Sequence, residues 1–271
     1  MAADKAVAIV LRTVPFGDSS CVVTLFSREH GKLRALAKGA WRPKSGFDAA
    51  LDLLSICQVL VLRKSSGGLD LVTEACLEHR FRVGRSQAAF LGGMDVAELL
   101  DTLTADGDPQ PELFDVARSA LRTLSAPRHG HTPDTAASPL ADATVRALVT
   151  HAELAILRLT GHGPALLRCA ACGGAVGTAG RIAFGMLDGG VLCQACRGGK
   201  RAVVSLTPDG LAALRLLAGT PDAWRSLALP PAVDAEVRAV MNTFLSHLLG
   251  RRPRVASLLQ PKRPPVSRRP S

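Results

Sequence analysis

The sequence lacks any long uncharged segment, and this absence excludes a membrane-spanning helix. No run free of Asp, Glu, Lys and Arg exceeds twelve residues, a length reached at 169–180 and 239–250. A helix that crosses a bilayer needs about 20 apolar residues. The N-terminal residues lead into a short Val/Ile run without a small-residue cleavage site, so we read no signal peptide and expect a cytoplasmic protein.

Common catalytic signatures are also missing. The chain contains no G-x-x-x-x-G-K-[ST], no H-E-x-x-H and no G-x-S-x-G. These patterns are typical of P-loop NTPases, zinc metalloproteases and α/β-hydrolases, where they place phosphate-binding, metal-binding or nucleophilic groups in reach of substrate. We therefore expect a protein without catalytic activity.

Acidic residues are scarce relative to basic ones, and the imbalance is uneven along the chain. Asp and Glu total 23 against 33 Lys and Arg, giving a net charge of +10. The net charge is +5 over 1–85, −5 over 86–160, +3 over 161–200 and +7 over 201–271. Basic ends around an acidic middle favour a partner with dense negative charge, most often nucleic acid.

The first 80 residues predict a small β-barrel. Five short segments are β-rich or alternate between apolar and polar residues, with turn residues between them: 5–11, 21–27, 33–38, 53–62 and 69–77. Five strands without intervening helices are typical of an OB-fold barrel, with an SH3-like barrel as the alternative.

From residue 86 the apolar period becomes helical, which predicts an α+β multi-domain protein. Helices are expected over 89–103, 113–124, 209–217 and 231–249, and a further one from Ser138-Pro139 to Leu159. The predicted domains are an OB-fold at 1–82, an α-helical domain at 83–250 with a metal module at 165–200, and a basic, proline-rich disordered tail at 251–271. The Pro/Gly/Thr segment 126–138 is expected to be a loop.

Two cysteine pairs predict a structural zinc site. Cys169 and Cys172 are separated by twenty residues from Cys193 and Cys196, which matches the spacing of a zinc ribbon. Each C-x-x-C turn points two sulfurs at one ion, and four thiolates complete a tetrahedron around Zn²⁺ with no position left for a reactive water. Metal binding would then supply much of the folding free energy of this segment.

Other interpretations of the cysteines are weaker. Two disulfides would be unusual in a cytosolic chain with an odd cysteine total. Cys21, Cys57 and Cys76 stand alone in predicted strands and are expected to be buried as small hydrophobic residues.

A zinc deaminase or hydrolase is a further alternative. His151-Ala-Glu153 followed by a C-x-x-C pair partly echoes the deaminase pattern. Arg168 replaces the expected proline, however, and the second cysteine pair would have no role in such a site.

A cationic strand is predicted at 32–38. The period of two places Lys32, Arg34 and Lys38 on one face of this strand. A basic groove with aromatic residues nearby suits single-strand binding, and three aromatic residues are candidates for stacking: Trp41, Phe47 and Phe16. The alternative is that Trp41 and Phe47 close the end of the barrel.

The order of these features resembles the DNA repair protein RecO family over nearly the whole chain. The specific part is the N-terminal sequence 8–45, and the end of the last helix at 248–257 is close to the family's C-terminal pattern. Asp18 stands where the family usually has glutamate, and Trp41 stands where it often has a basic residue. Some members of this family lack the metal ligands.

The resemblance implies a non-catalytic mediator of recombinational repair with an OB-fold domain and a zinc-binding helical domain. Such proteins bind single- and double-stranded DNA, anneal complementary strands without a nucleotide, and with RecR help to load RecA onto strands coated by single-strand-binding protein, whose acidic tail they contact. The resemblance carries zinc ligation onto Cys169, Cys172, Cys193 and Cys196. It carries DNA contact onto Lys32, Arg34, Lys38, Arg42, Lys44, Arg63 and Lys64. It also implies a location in the cytoplasm at the nucleoid.

A different zinc-ribbon nucleic-acid binder, such as a transcription or translation factor, is the main functional alternative. No helix-turn-helix with a basic recognition helix stands out, and the helices of 86–160 are net acidic.

Overall fold

A computed structural model describes residues 3–43, 45–64, 68–84, 86–125 and 140–259. The chain forms two compact units that divide between Pro164 and Ala165, and each is considered by itself. No helix among the described residues is long and apolar enough to cross a membrane. The domain boundaries that the sequence predicts, at 82/83 and 250/251, stay predictions.

The first unit begins with a closed five-stranded barrel, which confirms the predicted OB-fold. Its strands are β1 (Ala3–Phe16), β2 (Ser20–Ser27), β3 (Gly31–Ala37), β4 (Ile56–Leu62) and β5 (Asp70–His79). The strand order is β1-β2-β3-β5-β4, and β4 pairs with β1 to close the barrel. All neighbouring strands are antiparallel except β3 and β5, which are parallel.

Alternate residues of each strand fill the barrel interior. Ala8 and Val10 of β1 pack with Val23 and Leu25 of β2 in this buried cluster. Phe47, from the connection between β3 and β4, belongs to the same cluster. Phe47 is therefore a core residue, as the alternative interpretation proposed, and it has no exposed ring for stacking.

Among the described residues of the first unit, three helices follow the barrel. They are α1 (Gln87–Leu103), α2 (Pro111–Leu124) and α3 (Asp142–Leu159). The Ser86 hydroxyl caps α1 by accepting a hydrogen bond from the Ala89 N–H at 3.1 Å. The predicted loop 126–138 and the predicted helix start at Ser138-Pro139 lie outside the described residues.

Helices α1 and α2 meet one half of the outer face of the β1–β2–β3 sheet. Phe26 of β2 packs against Phe114 of α2, with ring centroids 6.3 Å apart. Lys32 of β3 lies opposite Phe26 in the strand register, so both side chains leave the same face. This half of the face is therefore part of the protein interior.

Lys32 is held there by the end of α1. Its Nζ donates to the carbonyl oxygens of Asp101 at 2.7 Å and Thr104 at 2.8 Å. The carboxylates of Asp101 and Asp106 lie 3.8 and 3.6 Å from the same atom, and only 6% of the side chain is exposed. A cation beside the last carbonyls of a helix also suits the helix dipole. Lys32 thus has a structural role and leaves the expected set of DNA contacts.

The chain approaches the α1–α2 connection so closely at Gly31 that a side chain would not fit. A Cβ at this position would lie 2.0 Å from the Asp108 carbonyl oxygen, and the Gly31 φ is +65°. Next to it, the Gly107 N–H donates to the Lys32 carbonyl at 2.8 Å. The start of β3 is therefore held against the end of α1 and the α1–α2 connection in three ways: by the close approach at Gly31, by the backbone hydrogen bond and by the Lys32 ammonium.

Over 165–259, the second unit combines a small sheet with three helices. The strands β6 (Ile182–Gly185), β7 (Gly190–Leu192) and β8 (Val203–Leu206) form a sheet of order β7-β6-β8. The helices are α4 (Pro208–Gly219), α5 (Ala223–Ser226) and α6 (Pro231–Leu249).

The ends of these helices match the sequence signals. The Thr207 hydroxyl caps α4 by accepting from the Gly210 N–H at 3.1 Å, as the Thr-Pro pair predicts. After α6, Ala256–Leu259 forms a 3-10 turn in which Ala256 and Leu259 are buried. This part of the predicted tail is folded, and residues 260–271 lie outside the described residues.

We predict that Lys32→Met destabilises the protein by about 2–4 kcal/mol, because the substitution leaves buried carbonyl groups without their charged donor. Urea unfolding would measure the loss. Lys38→Met is the matched control on the exposed half of the same face and should change the free energy of unfolding by less than about 0.5 kcal/mol. Equal effects of the two substitutions would contradict the structural role of Lys32.

Candidate metal centre and nucleic-acid interface

Four cysteines of the second unit form a cluster of metal-ligand geometry. The sulfur atoms of Cys169, Cys172, Cys193 and Cys196 all lie within 4.8 Å of one another. The sequence spacing predicted these four residues, and the fold brings all of them together. This arrangement can bind one metal ion.

Backbone hydrogen bonds place the two C-x-x-C turns side by side. The Gly173 N–H donates to the Cys169 carbonyl at 2.8 Å, and the Cys196 N–H donates to the Cys193 carbonyl at 3.2 Å, which closes each turn. The Ala170 N–H donates to the Val191 carbonyl at 2.8 Å and ties the first turn to β7. Because Cys193 follows β7 directly, this contact brings the second pair to the first.

The electrostatics of the cluster fit a bound cation. The Cys193 backbone N–H donates to Cys169 Sγ at 3.3 Å, and this hydrogen bond lowers the pKa of Cys169 to about 6. In contrast, hydrogen bonds with the thiols of Cys193 and Cys172 raise the pKa of Cys196 to about 12. Four thiolates cannot stay charged at this distance unless a cation neutralises them, and soft sulfur ligands in a tetrahedral set suit zinc.

The other interpretations of the cysteines receive no support from the structure. None of the seven cysteines forms a disulfide. Within the described residues, the metal-ligand cluster contains no histidine, and Glu153 is fully buried in α3. Cys21 and Cys57 are buried as predicted, and burial raises the pKa of Cys57 to about 12. The prediction for Cys76 was wrong, because this side chain is exposed on β5.

We predict that Cys193→Ser abolishes stoichiometric metal binding and lowers the melting temperature, because one of four ligands and its share of the binding free energy are lost. Metal analysis by mass spectrometry and thermal unfolding would measure the two effects. Cys76→Ser removes an exposed thiol outside the cluster and should change neither. Full metal content in Cys193→Ser would exclude the site.

A second candidate site is the half of the β1–β2–β3 outer face that the helices leave uncovered, called the open face below. One cross-strand row consists of Arg12, Thr24 and Arg34. The next row is apolar: Val14, Val22 and Leu36. Both arginines are exposed, so the open face presents positive charge beside apolar surface.

Further cations continue the open face beyond the end of β3. Lys38 and Arg42 are exposed, and Arg42 Nε donates to Ser19 Oγ at 3.3 Å. Arg34 Nε lies 3.5 Å from an Asp106 carboxylate oxygen, but both side chains are more than half exposed. Such a surface ion pair is worth little and can yield to a phosphate.

The remaining predicted cations have different positions. Arg63 and Lys64 are exposed after β4, and the Lys64 N–H donates to Asp70 Oδ1 at 3.0 Å. Asp70 pairs with Ala35, so this segment lies near β3. Lys44 lies outside the described residues.

Arg12 is the residue that the sequence interpretation missed. A β-bulge between Val10 and Arg12 shifts the register of β1. Ala8 and Val10 point into the barrel, so regular alternation would also direct Arg12 inward. The bulge turns Arg12 onto the open face, and no sequence signal marks this bulge.

A groove elsewhere on the barrel is a poorer match for a polyanion. It has a volume of about 750 Å³ and lies along β1, β4 and β5. Its charged lining consists of Lys5, Glu29 and Glu74, and Glu29 accepts a hydrogen bond from the Val7 N–H at 3.0 Å. Two carboxylates against one ammonium make the open face the better candidate for a nucleic-acid interface.

Comparisons with known proteins give a consistent result along the chain. Residues 1–81 match the family model "Recombination protein O N terminal", and residues 88–257 match "Recombination protein O C terminal". The DNA repair protein RecO of Rhodopirellula baltica is 35% identical over 280 residues, covering 94% of this chain and 98% of the relative. The DNA repair protein RecO of Myxococcus xanthus is 34% identical over 248 residues, covering 90% and 92%.

Proposed function

The chain belongs to the RecO family of DNA repair proteins, and we propose that it is a non-catalytic mediator of recombinational repair. In this role it binds single- and double-stranded DNA and anneals complementary strands without a nucleotide. With RecR it helps to load RecA onto strands coated by single-strand-binding protein, whose acidic tail it contacts. It works in the cytoplasm at the nucleoid.

The observation that carries this proposal is the open face with its cations. Arg12 and Arg34 lie in one cross-strand row of the open face. Lys38 and Arg42 are further exposed cations, in the segment that follows β3. The spacing of neighbouring strands, near 5 Å, offers several donors to a passing phosphate backbone. Phosphate contacts supply affinity without base readout, as a protein that acts on any sequence requires.

We further propose that the four-cysteine cluster holds one structural Zn²⁺. Cys169, Cys172, Cys193 and Cys196 would be its ligands, and the ion would stabilise the fold of the second unit. Four sulfur ligands leave no coordination position for substrate, which agrees with a protein that performs no reaction at the metal.

Strand annealing tests the proposed function directly. Complementary oligonucleotides coated with single-strand-binding protein are mixed with the protein, without ATP, and duplex formation is followed by fluorescence energy transfer. We expect faster annealing than in the absence of the protein. DNA binding without any acceleration would instead favour a generic zinc-ribbon nucleic-acid binder.

We predict that replacing Arg34, Lys38 and Arg42 with Ala weakens binding to single-stranded DNA. Each lost phosphate contact should also reduce the slope of log K against log salt by about 0.7. Fluorescence anisotropy at several salt concentrations would measure both quantities. Arg12→Ala should also weaken binding and reduce the salt slope, by about as much as one of these three substitutions alone.

Lys5→Ala is the matched control for this prediction. Lys5 is an exposed cation of the same barrel, but it lines the groove along β1, β4 and β5. This variant should keep the affinity and the salt slope of the original protein. An unchanged slope in the folded triple variant would remove the open face from the interface.

A further inference from the structure

We propose that Trp41 and Phe16 form a base-stacking platform at the end of the open face, which makes this site select unpaired nucleotides over duplex DNA. The inference rests on the proposed DNA binding and adds to it the residues that discriminate between the two forms of DNA. Cations attract the backbone of either form, so discrimination needs a different kind of contact.

The two aromatic residues belong to backbone turns that are joined to each other. Phe16 ends β1 and pairs with Ser20 at the start of β2. The Trp41 N–H donates to the Ser19 carbonyl at 2.9 Å, and the Gly39 N–H donates to Ser20 Oγ at 3.0 Å. The β1–β2 turn and the turn after β3 therefore form one end of the barrel, and Phe16 and Trp41 both lie at that end.

Both rings are exposed. Trp41 is 49% exposed and Phe16 is 56% exposed, in a chain with only two tryptophans, eight phenylalanines and no tyrosine. Phe47, from the same connection as Trp41, is buried in the barrel. Two exposed aromatic side chains on joined turns at one end of the barrel leave apolar surface uncovered together, which indicates a ligand surface.

Two exposed cations lie at this end of the barrel. Lys38 and Arg42 flank Trp41 in sequence, and Arg42 Nε is bound to Ser19 Oγ in the adjoining turn. Val14, two residues before Phe16 on the open face, adds partly exposed apolar surface. Aromatic planes beside a cationic track are the combination by which proteins bind single strands with little sequence preference.

The preference for unpaired nucleotides follows from base geometry. In a duplex, neighbouring base pairs already cover both faces of each base, so a protein ring finds no free face inside the helix. In a single strand the faces are accessible, and each stacked base adds about tenfold to affinity. The platform thus contributes to binding of single strands alone, whereas the cations contribute to both forms.

Tryptophan fluorescence provides a direct test because the two tryptophans have opposite environments. Trp41 is exposed, whereas Trp224 is 4% exposed, and tyrosine emission is absent from this chain. We expect oligothymidylate to quench the tryptophan fluorescence of the full-length protein, and the quenching should saturate as oligothymidylate is added. Trp41→Phe, in which only Trp224 emits, should show no quenching while it still binds.

Affinity measurements supply the second readout. Trp41→Ala and Phe16→Ala should each weaken binding to oligothymidylate about tenfold, leave binding to a duplex of equal length unchanged, and leave the salt slope unchanged. Trp41→Phe should retain most of the affinity because it keeps a ring. Phe90→Ala, which removes an exposed ring from α1, is the matched control and should have no effect.

The outcomes separate this inference from the proposed function. Two results would overturn the stacking platform and leave the DNA-binding role in place. In the first, the unmodified protein binds oligothymidylate without quenching of its fluorescence. In the second, folded Trp41→Ala binds oligothymidylate with full affinity. Equal losses on single-stranded and duplex DNA would also overturn the stacking platform, since stacking would not then be the source of discrimination. Failure of the unmodified protein to bind any DNA would overturn the proposed function itself.

Discussion

The buried ammonium of Lys32 is the contact on which the arrangement of the first unit depends. It joins β3 to the last carbonyls of α1, at the point where Gly31 admits no side chain. This junction decides which half of the β1–β2–β3 outer face the helices cover and which half stays open. The proposed interface is therefore defined as much by helix packing as by the strands that carry its residues.

Strand periodicity predicted the faces of the barrel residues but not their exposure. It correctly placed Lys32 and Arg34 on one side of β3, and Lys38 follows the end of this strand. Covering that side depends on residues about 70 positions further along the chain, such as Asp101 and Thr104, and a period of two contains no information on such distant contacts. The bulge that turns Arg12 outward is equally invisible to periodicity.

The cysteine cluster was predictable in full because its chemistry is local. Two residues between ligands already determine a tight turn, and two such turns suffice for four sulfurs around one centre. Lone cysteines carry no such constraint. Cys57 lies in an apolar run and is buried, whereas Cys76 lies on β5 between Glu74 and Glu78, which share its strand face, and it is exposed with Glu74.

Lys32 also shows why charge alone is a poor guide to a DNA-binding residue. Removing a buried cation disturbs the junction between barrel and helices, and with it the shape of the open face. A Lys32 variant would therefore disturb the proposed interface indirectly, since its ammonium is bound to the carbonyl oxygens of Asp101 and Thr104. Only a substitution that changes binding without changing the free energy of unfolding identifies a phosphate contact, and exposed side chains such as Arg34 and Lys38 suit that test where the buried Lys32 does not.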